Sequence, residues 1–266
     1  MAAWAQTAWH AVLEADKTVT GLADAWVPLA LFLATYWAVG LGFLLIDRPW
    51  AAEIKCQPGK YVAWPMVRKI AAYVGAQHLT VYPATTWLLS GVVRRFCSFS
   101  PELPSARETV AGLVFCIFFA EVYFFHVHWA LHHPRIYPYV HKVHHEFTYP
   151  IALESLYFHP VESVLNFGLG AGPMILGAHV TLLYLFTVIA VANVCIHHCG
   201  HEVPLDSPPF FGSMTHQHDY HHKVFNRNFG VIGICDWLYG TRAGYDAYHE
   251  RWEQARKEKK RRTKTE

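Results

Sequence analysis

Charge is scarce in this chain. Asp, Glu, Lys and Arg make up 16% of its 266 residues, against 53% hydrophobic and 15% aromatic residues, a balance more apolar than that of an average soluble chain. The six cysteines form no CxxC pair and several sit in apolar runs. A disulfide framework is therefore disfavoured, and buried reduced thiols are expected. The only glycine-rich run, Gly168-x-Gly170-x-Gly172, has no strand before it and no polar partner after it. Helix packing explains it better than nucleotide binding. No haem-binding HPGG occurs, and no repeat of 20–50 residues. No basic segment precedes an apolar core at the N-terminus, so no cleavable signal peptide is expected. The net charge of +2 says little, but seven Lys or Arg fall in residues 256–266. They read as a solvated cytoplasmic tail obeying the positive-inside bias rather than as a nucleic-acid tail.

What the chain has in place of charge is long apolar runs. Residues 26–46 carry none over 21 positions, about 31 Å of helix and enough to cross a bilayer core. Asp47-Arg48-Pro49 stops that run, and the loop 47–69, with five basic residues, reads as cytoplasmic or interfacial. Residues 70–93 are apolar but contain His78 and Pro83. They form either a kinked span or a segment that dips in and returns. A second strong span, 109–127, delivers His128. Residues 163–196, broken by glycines and Pro173, suit two short helices in a hairpin that leaves and returns on one side, letting His145 and His198 meet. Residues 5–24 read as an amphipathic helix on the membrane surface, with a soluble first helix as the alternative. The expected fold class is all-α: a polytopic membrane helical bundle with four to five membrane-embedded helices and a cytosolic, histidine-lined di-metal site. The expected division is an anchoring region (1–108), a catalytic region (109–249) and a basic tail (250–266).

Thirteen of the 19 histidines lie in residues 128–145 or 197–222. They form three clusters: His128-x3-His132, His141-x2-His144-His145 and His218-x2-His221-His222. Helical spacing of three or four puts such side chains on one face, and neutral imidazole is the commonest metal ligand. Eight such nitrogens are too many for one ion and suit two. His144 and His145, about 100° apart on a helix, could face different metals, and the third cluster repeats that geometry. From the group His197-His198-x2-His201, His198 is the expected added ligand. His126 and His133 are expected to point elsewhere. Glu121, two turns before His128, is assigned to orient a ligating imidazole. His159 remains open between ligand, supporting group, substrate-side group and structural residue. Nitrogen-rich, thiolate-free ligation suits iron that binds O2, although zinc would bind these nitrogens too. Two-metal hydrolases also rely on bridging carboxylates, which are few here, so oxygen activation is favoured. A metal-dependent membrane hydrolase and a non-catalytic metal- or lipid-binding membrane protein are the rivals.

These runs resemble the fatty acid hydroxylase superfamily of integral-membrane di-iron enzymes, which includes sterol desaturases and sterol methyl oxidases. The resemblance covers roughly residues 109–249. It rests on His128-x3-His132-His133-Pro134, Ile136-Tyr137, His141-Lys142-Val143-His144-His145-Glu146-Phe147, Pro150, Phe158-His159-Pro160-x-Glu162 and Asn166. It continues through His198-Cys199-Gly200-x3-Pro204, His218-Asp219-Tyr220-His221-His222, Phe225-Asn226-x-Asn228-Phe229-Gly230 and Asp236-x3-Gly240-Thr241. The chain departs at Cys235, where the family has Trp. The HKVHHEF and HPVE runs look most like the sterol C4-methyl oxidase branch. The resemblance implies a non-haem oxygenase of the eukaryotic endoplasmic reticulum, its site facing the cytosol, with two iron ions held by His128, His132, His141, His144, His145, His198, His218, His221 and His222. It also implies O2 as co-substrate, electrons from NAD(P)H through cytochrome b5 or a similar carrier and its reductase, and a membrane lipid substrate. The implied reaction is oxidation of a C4-methyl sterol. Sterol desaturation and acyl or sphingolipid hydroxylation would use the same ligands. Glu121, His159, His201, Asp219 and Asp236 are the candidates to support those ligands.

Overall fold

A computed structural model describes residues 3–203 and 213–262. Pro204 of the motif above and the end of the basic tail lie outside them. The described residues fold into helices α1 (Ala3–Asp16), α2 (Val27–Ile46), α3 (Trp64–Leu79), α4 (Val81–Phe96), α5 (Ala106–Leu131), α6 (Pro160–Asn166), α7 (Ala171–Ile175), α8 (Val180–His197), α9 (Met214–Val224), α10 (Ile234–Tyr239) and α11 (Tyr245–Arg262). They contain no strand, only isolated bridges at Lys55–His201 and Ser98–His179. The protein is a helical bundle, and three of its helices, Leu22–Ile46, α5 and α8, are long and apolar enough to cross a membrane.

All three run towards the same end of the bundle. Helix α5 starts on a capping box, in which the Ser105 hydroxyl accepts from Glu108 N and the Glu108 carboxylate accepts from Ser105 N. It then runs apolar until it delivers His128 and ends at His132. Helix α8 starts beside Ser98 and Ser100, which bond Val180 N and His179, and ends at His198. Helix α2 follows a short π-helical turn, Leu22–Trp26, and ends at Asp47, which pairs with Lys55.

Helices α3 and α4 make a return path, broken at Thr80 (φ −127°, ψ −73°). Lys69 meets Glu146 at the histidine end and Arg94 meets Asp24 at the other. The segment expected either to kink or to dip back therefore traverses with a kink. Helices α6 and α7 make a second return, since Glu162 lies at the histidine end while Ala178 bonds Ser98 at the other. That gives the expected hairpin with α8.

The glycines of this hairpin serve packing. A Cβ on Gly168 would lie 2.0 Å from the Tyr123 hydroxyl, which donates to Leu165 O (2.8 Å). Gly168→Ala should therefore lower the thermal midpoint in detergent by an amount equivalent to about 1–3 kcal/mol of overpacking. An unchanged midpoint would show that Tyr123 moves aside freely. Between α2 and α8 the same logic seats the 3-10 turn Ala152–Leu156. Gly40 leaves room for Leu153, and Tyr36 donates to Leu153 O (2.5 Å), holding the next residue, Glu154, in place. All six cysteines are buried and none forms a disulfide, as expected of a reduced apolar interior.

Candidate metal centre

The histidine end of the bundle gathers residues from four elements. The last turn of α5 supplies His128 and His132. The turn His141–Glu146 supplies His141, His144 and His145, and it is 3-10 rather than the expected α-helix. The end of α8 supplies His198, and α9 supplies His218, His221 and His222. Their ring nitrogens fall into two sets, each with every member within 4.8 Å of the others. One holds His128, His132, His141, His145 and His221, the other His144, His198, His218 and His222. The adjacent pairs separate, His144 and His222 into one set, His145 and His221 into the other.

The tautomers can be read from the outward-facing nitrogens. Nδ1 of His128 lies 2.8 Å from Phe229 O, that of His198 2.7 Å from Val194 O, that of His221 2.6 Å from Arg227 O, and that of His222 2.9 Å from Phe147 O. A carbonyl only accepts, so each Nδ1 carries the proton and each neutral Nε2 is a bare lone pair. These lone pairs converge. His218 Nε2 lies 2.8 Å from His198 Nε2 and 3.2 Å from His222 Nε2; one N–H could satisfy only one of them. His128 and His141 meet Nε2 to Nε2 at 3.0 Å, and His145 and His221 at 3.1 Å. His132 Nε2 is buried without any partner. Packed acceptors of this kind repel unless a cation sits among them, so the donor sets fit metal ions. Burial also favours the metal-ready neutral form. It holds His132, His144, His145, His198, His218 and His221 well below the usual histidine range and pushes His141 and His222 down to about 3.

Two supports were missed in the sequence. Glu162 Oε1 accepts from His141 Nδ1 at 2.8 Å, while Glu154 Oε1 lies 3.2 Å from His144 Nδ1, within ionic reach but outside hydrogen-bond geometry. Both carboxylates are fully buried, and burial raises them well above the usual range; metal charge in the pocket would offset that. A lone acid in an apolar stretch was the available signal, in ALES and in HPVE. Carboxylates behind ligating imidazoles set ring orientation and basicity. Glu162→Gln and Glu154→Gln should each weaken metal retention by roughly 10- to 100-fold, read by metal content after dialysis against graded chelator. Retention equal to that of the parent protein would make these contacts incidental.

The other sequence candidates take different places. Glu121 touches no imidazole. Its carboxylate accepts from Val231 N, Ile232 N and Cys235 N, each at 2.8 Å. Asp236 accepts from Phe229 N, Gly230 N and the Thr241 hydroxyl. Together they fix the loop whose Phe229 carbonyl receives the His128 proton, so their influence on the site is one step removed. Phe225 ends α9 with φ +66° and Asn228 follows at +54°, a conformation unfavourable for most side chains that turns the Phe225 ring onto His145 (5.1 Å). His159 caps α6, accepting from Val161 N. His201 bonds Cys199 O and lies 3.6 Å from Asp47. Asp219 is buried beside Gln57, and burial pushes it up to about 7. His126 meets Val122 O and Tyr239, and His133 accepts from Arg135 N, so both lie outside the two sets.

Below the histidines lies an apolar cavity among α2, α4, α5, α6 and α8. The end of it that forms an aromatic floor under the histidines includes Phe124 and Phe158, whose rings pack on His128 (4.9 Å) and His144 (4.7 Å), and Val194, whose carbonyl holds His198.

Comparison with known proteins gives this arrangement a family. Fatty acid hydroxylase domain-containing protein 2 of Macaca fascicularis is 41% identical over 143 residues, covering 53% of this chain and 41% of its own length. A fatty acid hydroxylase of Mycosarcoma maydis is 32% identical over 224 residues, covering 79% of this chain and 55% of its own. Methylsterol monooxygenase 1 of Gallus gallus is 28% identical over 257 residues, covering 92% and 85%. The chain thus spans about half the length, or less, of the first two. No solved structure matches it. The family model for fatty acid hydroxylase matches residues 113–241, the stretch that carries all nine converging histidines, and through that domain the chain belongs to the fatty acid hydroxylase family.

Proposed function

We propose that this integral-membrane protein is a di-iron lipid oxygenase that oxidises a C4-methyl group of a sterol, with its site on the cytosolic face of the endoplasmic reticulum. The observation that carries this reading is the pair of buried all-imidazole donor sets opening beside an apolar cavity. Iron bound there would activate O2 for attack on an unactivated C–H bond. The chain's own residues prepare for that chemistry. His128, His132, His141, His145 and His221 hold one position, and His144, His198, His218 and His222 the other. Phe229, Val194, Arg227 and Phe147 fix the imidazole tautomers through their carbonyls. Phe124 and Phe158 shield the ligands from water and face the lipid. The chain carries no nucleotide fingerprint or haem motif, so NAD(P)H electrons would arrive through cytochrome b5 or a similar carrier with its reductase. Resemblance to methylsterol monooxygenases supports the sterol substrate. The fungal fatty acid hydroxylase supports acyl hydroxylation as the second reading.

Purified protein given 18O2, a reductant system and a C4-methyl sterol should form an alcohol retaining label, and nothing when O2 or reductant is withheld. An unlabelled alkene would mean desaturation. Product formed anaerobically would mean a hydrolase and overturn the oxygenase reading. A change confined to hydroxylated acyl lipids on expression in cells would keep the chemistry and replace the sterol.

A further inference from the structure

The cavity below the histidines has direction. On α8 its wall runs from Leu183 to Val194, and on α4 from Val93 back to Tyr82. Eleven residues of helix are about 16 Å, so the space is an elongated slot along the bundle axis. One end is the aromatic floor under His128 and His144. At the other end stands Asp24, with one oxygen held by Arg94 (3.0 Å). Most of the wall between is apolar. Two of its hydroxyls are already committed inside the protein: Ser163 donates to Gln77 Oε1 (2.8 Å) and Thr86 to Tyr82 O (2.7 Å).

Asn166 is different. It lines the slot, and its side-chain amide nitrogen is buried without a hydrogen-bond partner. It is the last residue of α6, four after Glu162, whose carboxylate supports His141. One turn of helix, about 6 Å, thus separates it from the level of the ligands. Leu165, beside it, bonds Tyr123, which adjoins Phe124 of the cavity floor. An unmatched buried donor costs stability comparable to a lost hydrogen bond. At this place it is the kind of group that orients a ligand in an otherwise apolar pocket.

The geometry points to Asn166 as the specificity-determining residue of the slot, its amide N–H donating to an oxygen of the bound lipid close to the carbon presented to the histidine floor. This deepens the lipid-oxygenase reading and rests on it. The slot would take an amphiphilic lipid polar end first: oxygen at Asn166, neighbouring carbons at the histidines, apolar remainder towards Asp24. A 3-hydroxyl beside a C4-methyl has that layout, and so does an acyl carbonyl beside its α-carbon. A lipid whose only oxygen lies far from the reacting carbon does not.

Equilibrium binding tests this without O2, reductant or turnover, so failure of the oxygenase reading cannot be mistaken for failure here. Two ligand series are compared on the full chain in detergent: a C4-methyl sterol as 3-alcohol, 3-ketone and 3-deoxy compound, and a long-chain acyl methyl ester against the alkane of equal length. In at least one series the parent protein should bind the oxygenated members about tenfold more tightly than the hydrocarbon, the effect of one good hydrogen bond. Asn166→Leu should bind every member of that series equally, and Asn166→Ser, which keeps a donor, should retain part of the preference. The ligand-free Leu variant should melt no lower than the parent, because it removes an unpaired buried donor; a purely structural asparagine would not behave so. Equal binding across both series by the parent protein, which requires no variant to fold, would overturn the proposal. So would a preference that survives in Asn166→Leu.

Discussion

Alanine at His144 and alanine at His145 should have unequal effects on bound metal and the same effect on turnover. His144 belongs to the set of four imidazoles, so its loss leaves three. His145 belongs to the set of five, and its loss leaves four, still a full complement for tetrahedral binding. Metal per chain should therefore fall from near two to near one in His144→Ala and fall less in His145→Ala. Turnover should drop by at least about 100-fold in both. Removing a supporting residue alone costs 10- to 100-fold, and a ligand matters more. Both variants should still insert, since neither residue lies in a spanning helix. Metal analysis of purified protein and a turnover assay read the two effects together. Full turnover by a well-folded His144→Ala would remove the basis of the metal assignment.

This asymmetry was out of reach of the sequence, although the three histidine clusters were not. Spacing alone identified clusters that share a face, because any helical turn brings residues three and four apart together. Spacing could not say which neighbour joins which set, since that depends on how the 3-10 turn His141–Glu146 meets α9 in space. The traverse was legible where apolar runs were unbroken, at 26–46 and 109–127. It was ambiguous at 70–93, where the break at Thr80 is decided by packing against α2 and by the Lys69 and Arg94 pairs at either end. Glu154 and Glu162 were passed over because a carboxylate's value as a support depends on the angle at which it meets an imidazole, which only the fold of Ile151–Glu162 sets. Glu121 drew notice for the right reason, as a carboxylate in an apolar helix, and was given the wrong partner. A buried acid must be matched, but backbone N–H groups match it as well as an imidazole does.

That partner makes Glu121 the residue whose loss should be felt furthest from its own position. Three backbone donors converge on it, and Glu121→Ala would leave all three unmatched, that of Cys235 buried and the other two part-buried, at a cost of roughly 1–3 kcal/mol. Asp236 would still hold Phe229 N and Gly230 N, so the loop should loosen rather than detach. The Phe229 carbonyl would lose its fixed position against His128 Nδ1 (2.8 Å), and His128 belongs to the five-membered set. Glu121→Ala should therefore lower the thermal midpoint and draw metal chiefly from that set, leaving the four-membered set loaded. Paired with His144→Ala, which empties the other position, it should yield protein with little metal at all. Glu121→Gln should fall between, because the amide keeps one acceptor oxygen for donors that now divide between Oε1 and Oε2. If Glu121→Ala lowers stability but leaves metal per chain near two, the loop serves folding alone and His128 is held without it. If Glu121→Ala and His144→Ala deplete the same position, the division of the nine histidines into two sets is wrong.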